Sequence, residues 1–180
     1  MRYYIVSGEA SGDMHGALLI QQLRQIDASA QVRAWGGDRM EQAGATLVKH
    51  YRSLAFMGFL EVLRHLPTIL ANMRFCKEDI AAFQPDVLVL IDYPGFNMRI
   101  ARWAHKQGFK VVYYIAPQAW AWKKGRGHKL RRTVHHLLVI LPFEEAFFGQ
   151  YHLPTTWVGH PLLDAIARRP TFSRAERLQA

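Results

Sequence analysis

The sequence predicts an α/β fold: a Rossmann-like, doubly wound and mostly parallel sheet. Three observations predict it. Short apolar runs rich in Val, Ile, Leu and Tyr recur along the chain, as strands buried on both faces require. Helical patterns lie between these runs, so strands and helices alternate. The central run, Val87-Leu88-Val89-Leu90-Ile91, then stops at a single carboxylate, Asp92. In open α/β sheets, ligands bind at the carboxyl ends of the strands. A length of 180 residues with 50% hydrophobic content suits one domain with a sizeable core.

Residues 2–6 read as the first strand, followed by Ser7-Gly8-Glu9-Ala10-Ser11-Gly12-Asp13 and a helix over 14–26 with Leu18, Leu19 and Leu23 on one side. Strand, glycine-bearing turn and helix open a nucleotide-binding unit. The turn is neither G-x-G-x-x-G nor a P-loop, and its two acids would repel a pyrophosphate. Ser11 or Asp13 serves as N-cap in the plainest reading, which leaves Glu9 unexplained and favours a ligand-facing loop. Residues 32–35 give a second strand ended by Gly36-Gly37, then a short helix at 38–42 and a strand at 46–48.

From Phe59 the pattern turns helical, with Phe59, Val62, Leu63, Leu66, Ile69, Leu70 and Met73 in one arc and Pro67 as a kink or break. A core-facing helix explains the arc. Leu54, Phe56, Met57 and Leu60 lie outside it, more apolar surface than one face buries, so a membrane-touching helix stands as the second reading. Its contacts would be Met57, Leu60, Val62, Leu63, Leu66, Ile69 and Leu70.

After the strand at 87–91, Pro94 and Gly95 read as breakers, and Asn97 opens a helix over 98–106. On this stretch alone Asp92 is equally a turn cap or a catalytic base. Residues 110–115 form a strand, followed by Pro117-Gln118-Ala119-Trp120-Ala121-Trp122 and a basic cluster. Strands at 137–140 and 156–158 flank a short helix at 142–150 with Pro at its first position. The last strand ends in Gly159-His160-Pro161. Residues 1–168 are expected to form the domain. Arg168-Arg169-Pro170-Thr171 reads as a linker, and Ser173 with Glu176 as a capping box opening a second domain that the chain lacks.

Formal net charge is +9. No acid lies between Asp92 and Glu144, while that span is dense in Lys and Arg. Such a field attracts nucleic acid, anionic lipid or phosphorylated small molecules. One cysteine, Cys76, favours a reducing compartment. With no secretory signal and no apolar run of spanning length, a cytoplasmic protein is expected, one still able to lie on a membrane. No His/Cys cluster has metal-ligand spacing.

Six motifs, in order and at similar spacing, resemble lipid-A-disaccharide synthase: Ser7 to Asp13, Met57-Gly58-Phe59-Leu60-Glu61-Val62, Ile91 to Asn97, Pro117 to Trp122, Leu141-Pro142-Phe143-Glu144, and Val158-Gly159-His160-Pro161. The resemblance implies a GT-B glycosyltransferase with two Rossmann-like halves, of which this is the N-terminal, acceptor-side half. It implies transfer of 2,3-diacylglucosamine from its UDP conjugate to the 6-hydroxyl of 2,3-diacylglucosamine 1-phosphate, forming the β-1,6 disaccharide of lipid A with inversion. Asp92 matches the family's base. Gly8, Glu9, Ser11, Gly12, Asp13, Asn97, Gln118, Trp120 and His160 are the implied substrate-binding positions. Gly95 departs from the many relatives that carry a second Asp there, which favours Asp92 as a lone base. No cofactor or metal is implied, the UDP-sugar being a substrate. The implied partners are acylated glucosamines, a membrane surface and a second copy of the whole protein, with no nucleic acid. The implied location is peripheral, on the cytoplasmic face of the inner membrane. Two other classes fit parts of the pattern: another GT-B or sugar-nucleotide enzyme, such as a peptidoglycan N-acetylglucosaminyltransferase or a UDP-sugar epimerase, and a nucleic-acid-binding α/β domain using the Trp/Lys/Arg surface.

Overall fold

The computed structural model describes residues 1–54, 66–117 and 125–163. Seven strands form one parallel sheet in the order β3-β2-β1-β4-β5-β6-β7. They are β1 (Arg2–Val6), β2 (Gln31–Gly36), β3 (Thr46–His50), β4 (Val87–Ile91), β5 (Val111–Tyr114), β6 (His136–Val139) and β7 (Thr155–Trp157). The helices are α1 (Ala10–Ile26), α2 (Asp38–Gln42), α3 (Leu66–Phe83), α4 (Pro94–Lys106), α5 (Gly125–Arg131) and α6 (Pro142–Gly149).

Right-handed crossovers decide which helix covers which face. From β1 the chain moves outward to β2 and β3, which puts α1 and α2 on one side. From β4 it moves the other way to β7, which puts α4, α5 and α6 on the opposite side with α3. The core divides accordingly. Tyr4, Val6, Leu88, Leu90, Tyr113 and Leu137 pack with Met73, Cys76 and Ile80 of α3 and with Phe96 and Ile100 of α4. Ile5, Val89 and Ile91 pack with Ala17 and Ile20 of α1 and Met40 of α2. Successive strand residues thus alternate between two apolar layers, which is why the runs lack polar alternation. Asp79 pins α3 over the sheet: it accepts two bonds from Arg33, at 2.9 and 2.6 Å, and one from the Tyr4 hydroxyl.

Strand ends shift by one or two residues from the sequence reading, and two helix starts differ more. Helix α1 begins at Ala10, four residues early, and α4 begins at Pro94, also early. At α4 the supposed breakers sit in the first helical turn, where backbone N–H groups have no helical partner and Pro is tolerated; at α1 the N-cap candidates Ser11 and Asp13 are themselves helical. The basic stretch after the tryptophans contains α5, so it forms a helix where the sequence pattern fits a basic helix or a cleft-lining loop. The linker, the capping box and the membrane-contact residues Met57, Leu60, Val62 and Leu63 lie outside the described residues. Of that stripe, Leu66 is 46% and Leu70 55% exposed, Ile69 is partly buried, and burial in α3 begins at Asn72 and Met73.

Candidate active site

Chain order reverses between β1 and β4, so the crevice of the sheet opens beyond their carboxyl ends. Val6 pairs with Leu90; two residues further in this parallel register, Gly8 stands beside Asp92. The contact is close. A Cβ on Gly8 would come within 2.6 Å of the Tyr93 ring, so only glycine lets the first loop lie against the second. The two loops that the sequence singles out therefore meet at the switch point.

Asp92 and Tyr93 both adopt left-handed backbone, with φ of 44° and 50°. Each such residue costs about 1–2 kcal/mol and persists only where neighbours fix it. Here they do. The Asp92 N–H donates to the Tyr114 carbonyl at 3.1 Å. The Asp92 carbonyl accepts from the Tyr113 hydroxyl at 2.6 Å and from Asn97 Nδ2 at 2.9 Å. The Tyr93 carbonyl accepts from the N–H groups of Phe96 and Asn97, opening α4. Tyr93 is the N-cap and its own side chain makes no capping bond; the Tyr93 N–H, outside the helix, is the backbone donor to the Asp92 carboxyl.

Burial pushes the Asp92 carboxyl above the usual carboxylate range, and the negative charge of Glu9 adds to the rise, while the Tyr93 N–H opposes it. The Tyr93 phenol is raised by burial and then by Glu9. Burial also pushes Tyr113 up, with Asp92 adding and Arg126 opposing. Glu9, Asp92, Tyr93, Tyr113 and Arg126 thus share one electrostatic neighbourhood.

The other sequence-selected residues divide. Ser11 is exposed on the first turn of α1, beside exposed Glu9. Gly12 is a close-approach position, where a Cβ would lie 2.8 Å from that of Ser7. Asp13 is 3% exposed and turned into the protein: its carboxylate accepts from the N–H groups of Gly37, Arg39 and Met40, at 2.7, 3.2 and 3.1 Å. It caps α2 across the α1–α2 junction. Asn97 is fully buried; its amide also reaches the carbonyls of Val6 and Ile91, at 3.3 and 3.1 Å, and clamps the ends of β1 and β4. His160 accepts from the Leu162 N–H and lies near enough to His15 to hold that imidazole, already lowered by burial, further below its ordinary value. Gln118 and Trp120 lie outside the described residues. Among the described residues no group of three His, Cys, Asp or Glu side chains is placed to hold a metal ion.

A family described as lipid-A-disaccharide synthetase matches residues 3–179. The chain belongs to the lipid-A-disaccharide synthetase family. It is 44% identical over 165 residues to the lipid-A-disaccharide synthase of Trichlorobacter lovleyi, covering 92% of this chain and 43% of that protein. The protein of the same name from Geobacter sulfurreducens is 42% identical over 177 residues, covering 98% and 46%. The chain spans about half the length of the curated relatives it matches. Among solved structures it resembles a UDP-GlcNAc 2-epimerase from Neisseria meningitidis bound to UDP-GlcNAc, with a TM-score of 0.67, 10% identity and coverage of 93% and 48%. The glycotransferase of kitacinnamycin gives a TM-score of 0.58 at 13% identity, with coverage of 88% and 51%. These two likenesses show the Rossmann-like fold of such enzymes.

In this family member the structure adds residues that local pattern did not select. Tyr113 sat in an apolar run and Arg126 in a charge cluster. Tyr93 was visible inside its motif, but its packing on Gly8 is a tertiary contact that no spacing encodes.

Proposed function

We propose that this chain is the acceptor-side part of an inverting glycosyltransferase that forms the β-1,6 disaccharide of lipid A. The donor is UDP-2,3-diacylglucosamine and the acceptor 2,3-diacylglucosamine 1-phosphate. Asp92 takes the proton of the acceptor 6-hydroxyl as its oxygen attacks C1 of the donor sugar and the C1–O bond to UDP breaks. The observation that carries this reading is Asp92 itself, a carboxyl at the switch point with its basicity increased by burial and by Glu9. A base stronger than an ordinary carboxylate suits a hydroxyl that loses its proton only in the transition state. Inversion in one displacement needs no second nucleophilic carboxylate. Metal independence belongs to the same proposal.

Gly8, Glu9 and Ser11 line the acceptor side, with His160 at the edge near α1. Stabilisation of the departing diphosphate falls to the rest of the protein. The enzyme works at the cytoplasmic face of the inner membrane, where both substrates carry acyl chains. Exposed Leu66 and Leu70 support that attachment. The test is an assay of the complete protein with both diacylated sugars, with the product identified by mass spectrometry. Formation of the acylated disaccharide and UDP is expected, and none from residues 1–180 alone. A complete protein that makes no disaccharide, or that epimerises the UDP-sugar instead, would contradict the proposal.

A further inference from the structure

Between α4 and α5 lies a cleft of about 660 Å³ whose lining includes Pro94 and Gly95, which directly follow the Asp92–Tyr93 turn. Its walls carry Arg99, Arg102 and Lys106 on one side and Arg126, Lys129 and Arg132 on the other. Among the described residues none of these six cations has a carboxylate partner, and no acid occurs in sequence between Asp92 and Glu144. Two facing rows of like charge repel each other across the cleft.

The bland explanation is helix-end compensation, since cations are favoured in a helix's last turn. It covers Lys106 on α4 and Lys129 on α5. It does not cover Arg99 and Arg102, which stand in the body of α4, and it fails at Arg126. That residue is the second of α5, where the helix dipole disfavours a cation. Position 95 faces open space, with no atom within 4 Å of where a Cβ would stand. Arg spaced along one helix face, opposite Arg and Lys on another, suits oxyanions held by several charged donors.

We propose that the α4–α5 cleft is a phosphate-binding site, separate from the Asp92 crevice and opening beside it. The ligand is a phosphate mono- or diester, carried either by a sugar phosphate or by a lipid headgroup. A nucleic-acid backbone is the competing ligand, although among the described residues no Phe, Tyr or Trp lines the cleft to stack bases. The site does not depend on Asp92 being a base, so the binding test stands apart from the transferase assay.

The chain is titrated at low ionic strength with glucose 1-phosphate, and separately with vesicles of phosphatidylcholine alone or with phosphatidylglycerol. Arg102→Gln with Lys129→Gln should weaken the phosphate interaction about tenfold or more, as loss of two charged hydrogen bonds implies. Arg131→Gln with Lys77→Gln removes the same charge away from the cleft and should change it by less than about twofold. Arg102→Lys with Lys129→Arg should retain binding, which separates a lost site from a lost fold. Weakening of the sugar phosphate alone assigns the site to that ligand, and weakening of anionic-vesicle binding alone assigns it to lipid. Equal loss in the two neutralised pairs would overturn the proposal in favour of diffuse charge. So would no measurable phosphate binding, or preferential binding of a single-stranded oligonucleotide through the cleft residues.

Discussion

Asp92 and Asp13 show how one residue type takes opposite duties two loops apart. Asp13 gives its carboxylate to three backbone N–H groups of the α2 turn. Asp13→Ala strands these donors in the interior and should cost about 3 kcal/mol or more, read as a large fall in melting temperature. Asp92 carries a raised carboxyl instead. Its folded-state pKa lies above the unfolded one, so its contribution favours the fold below the unfolded value and is lost as pH rises through the folded value. Ionisation of Asp92 therefore weighs against the fold. The rate should rise with pH through that elevated pKa and then level off. Because Glu9 contributes to the rise, Glu9→Gln should shift the acid limb of kcat/KM to lower pH. An unmoved limb would separate Glu9 from the base. Both aspartates were legible as candidates, but the partners of Asp13 lie more than twenty positions away, beyond any local signature.

At the scale of elements, strands were easier to read than helix starts. A strand buried on both faces writes itself as an apolar run. The first turns of α1 and α4 contain Ser11-Gly12 and Pro94-Gly95, which look like breakers unless one knows that a helix has already begun. Helix α5 has seven residues, two of them glycine, and only Leu130 of its apolar content enters the core; so short a segment is held by packing, which local propensity does not reveal. Helix α3 separates the core-facing and surface readings along its own length. Its later turns are buried through Met73, Cys76 and Ile80, while Leu66 and Leu70 remain exposed. If these leucines enter a bilayer surface, Leu66→Ser with Leu70→Ser should weaken vesicle binding by roughly tenfold or more, each buried leucine being worth about 1.5–3 kcal/mol. Flotation with liposomes measures it, and unchanged flotation would exclude this end of α3 from the contact.

In the whole molecule, the reversal of strand order brings together loops about eighty residues apart, and neither loop is a site without the other. Fold class was legible because alternation of strands and helices leaves few topologies once crossovers are right-handed. The meeting of the two loops follows from that topology, whereas the packing of Tyr93 on Gly8 and the bonds of Tyr113 and Asn97 that hold the Asp92 turn needed coordinates. The central claim is that this turn presents a base and is not merely a structural corner. Asp92→Asn in the complete protein tests it most directly, with turnover and melting temperature measured on the same preparation. Turnover should fall by roughly 10²–10⁴, while the melting temperature holds or rises because a partly buried ionisable group has been replaced by a neutral one. Near wild-type turnover, or a large fall in melting temperature, would contradict the account.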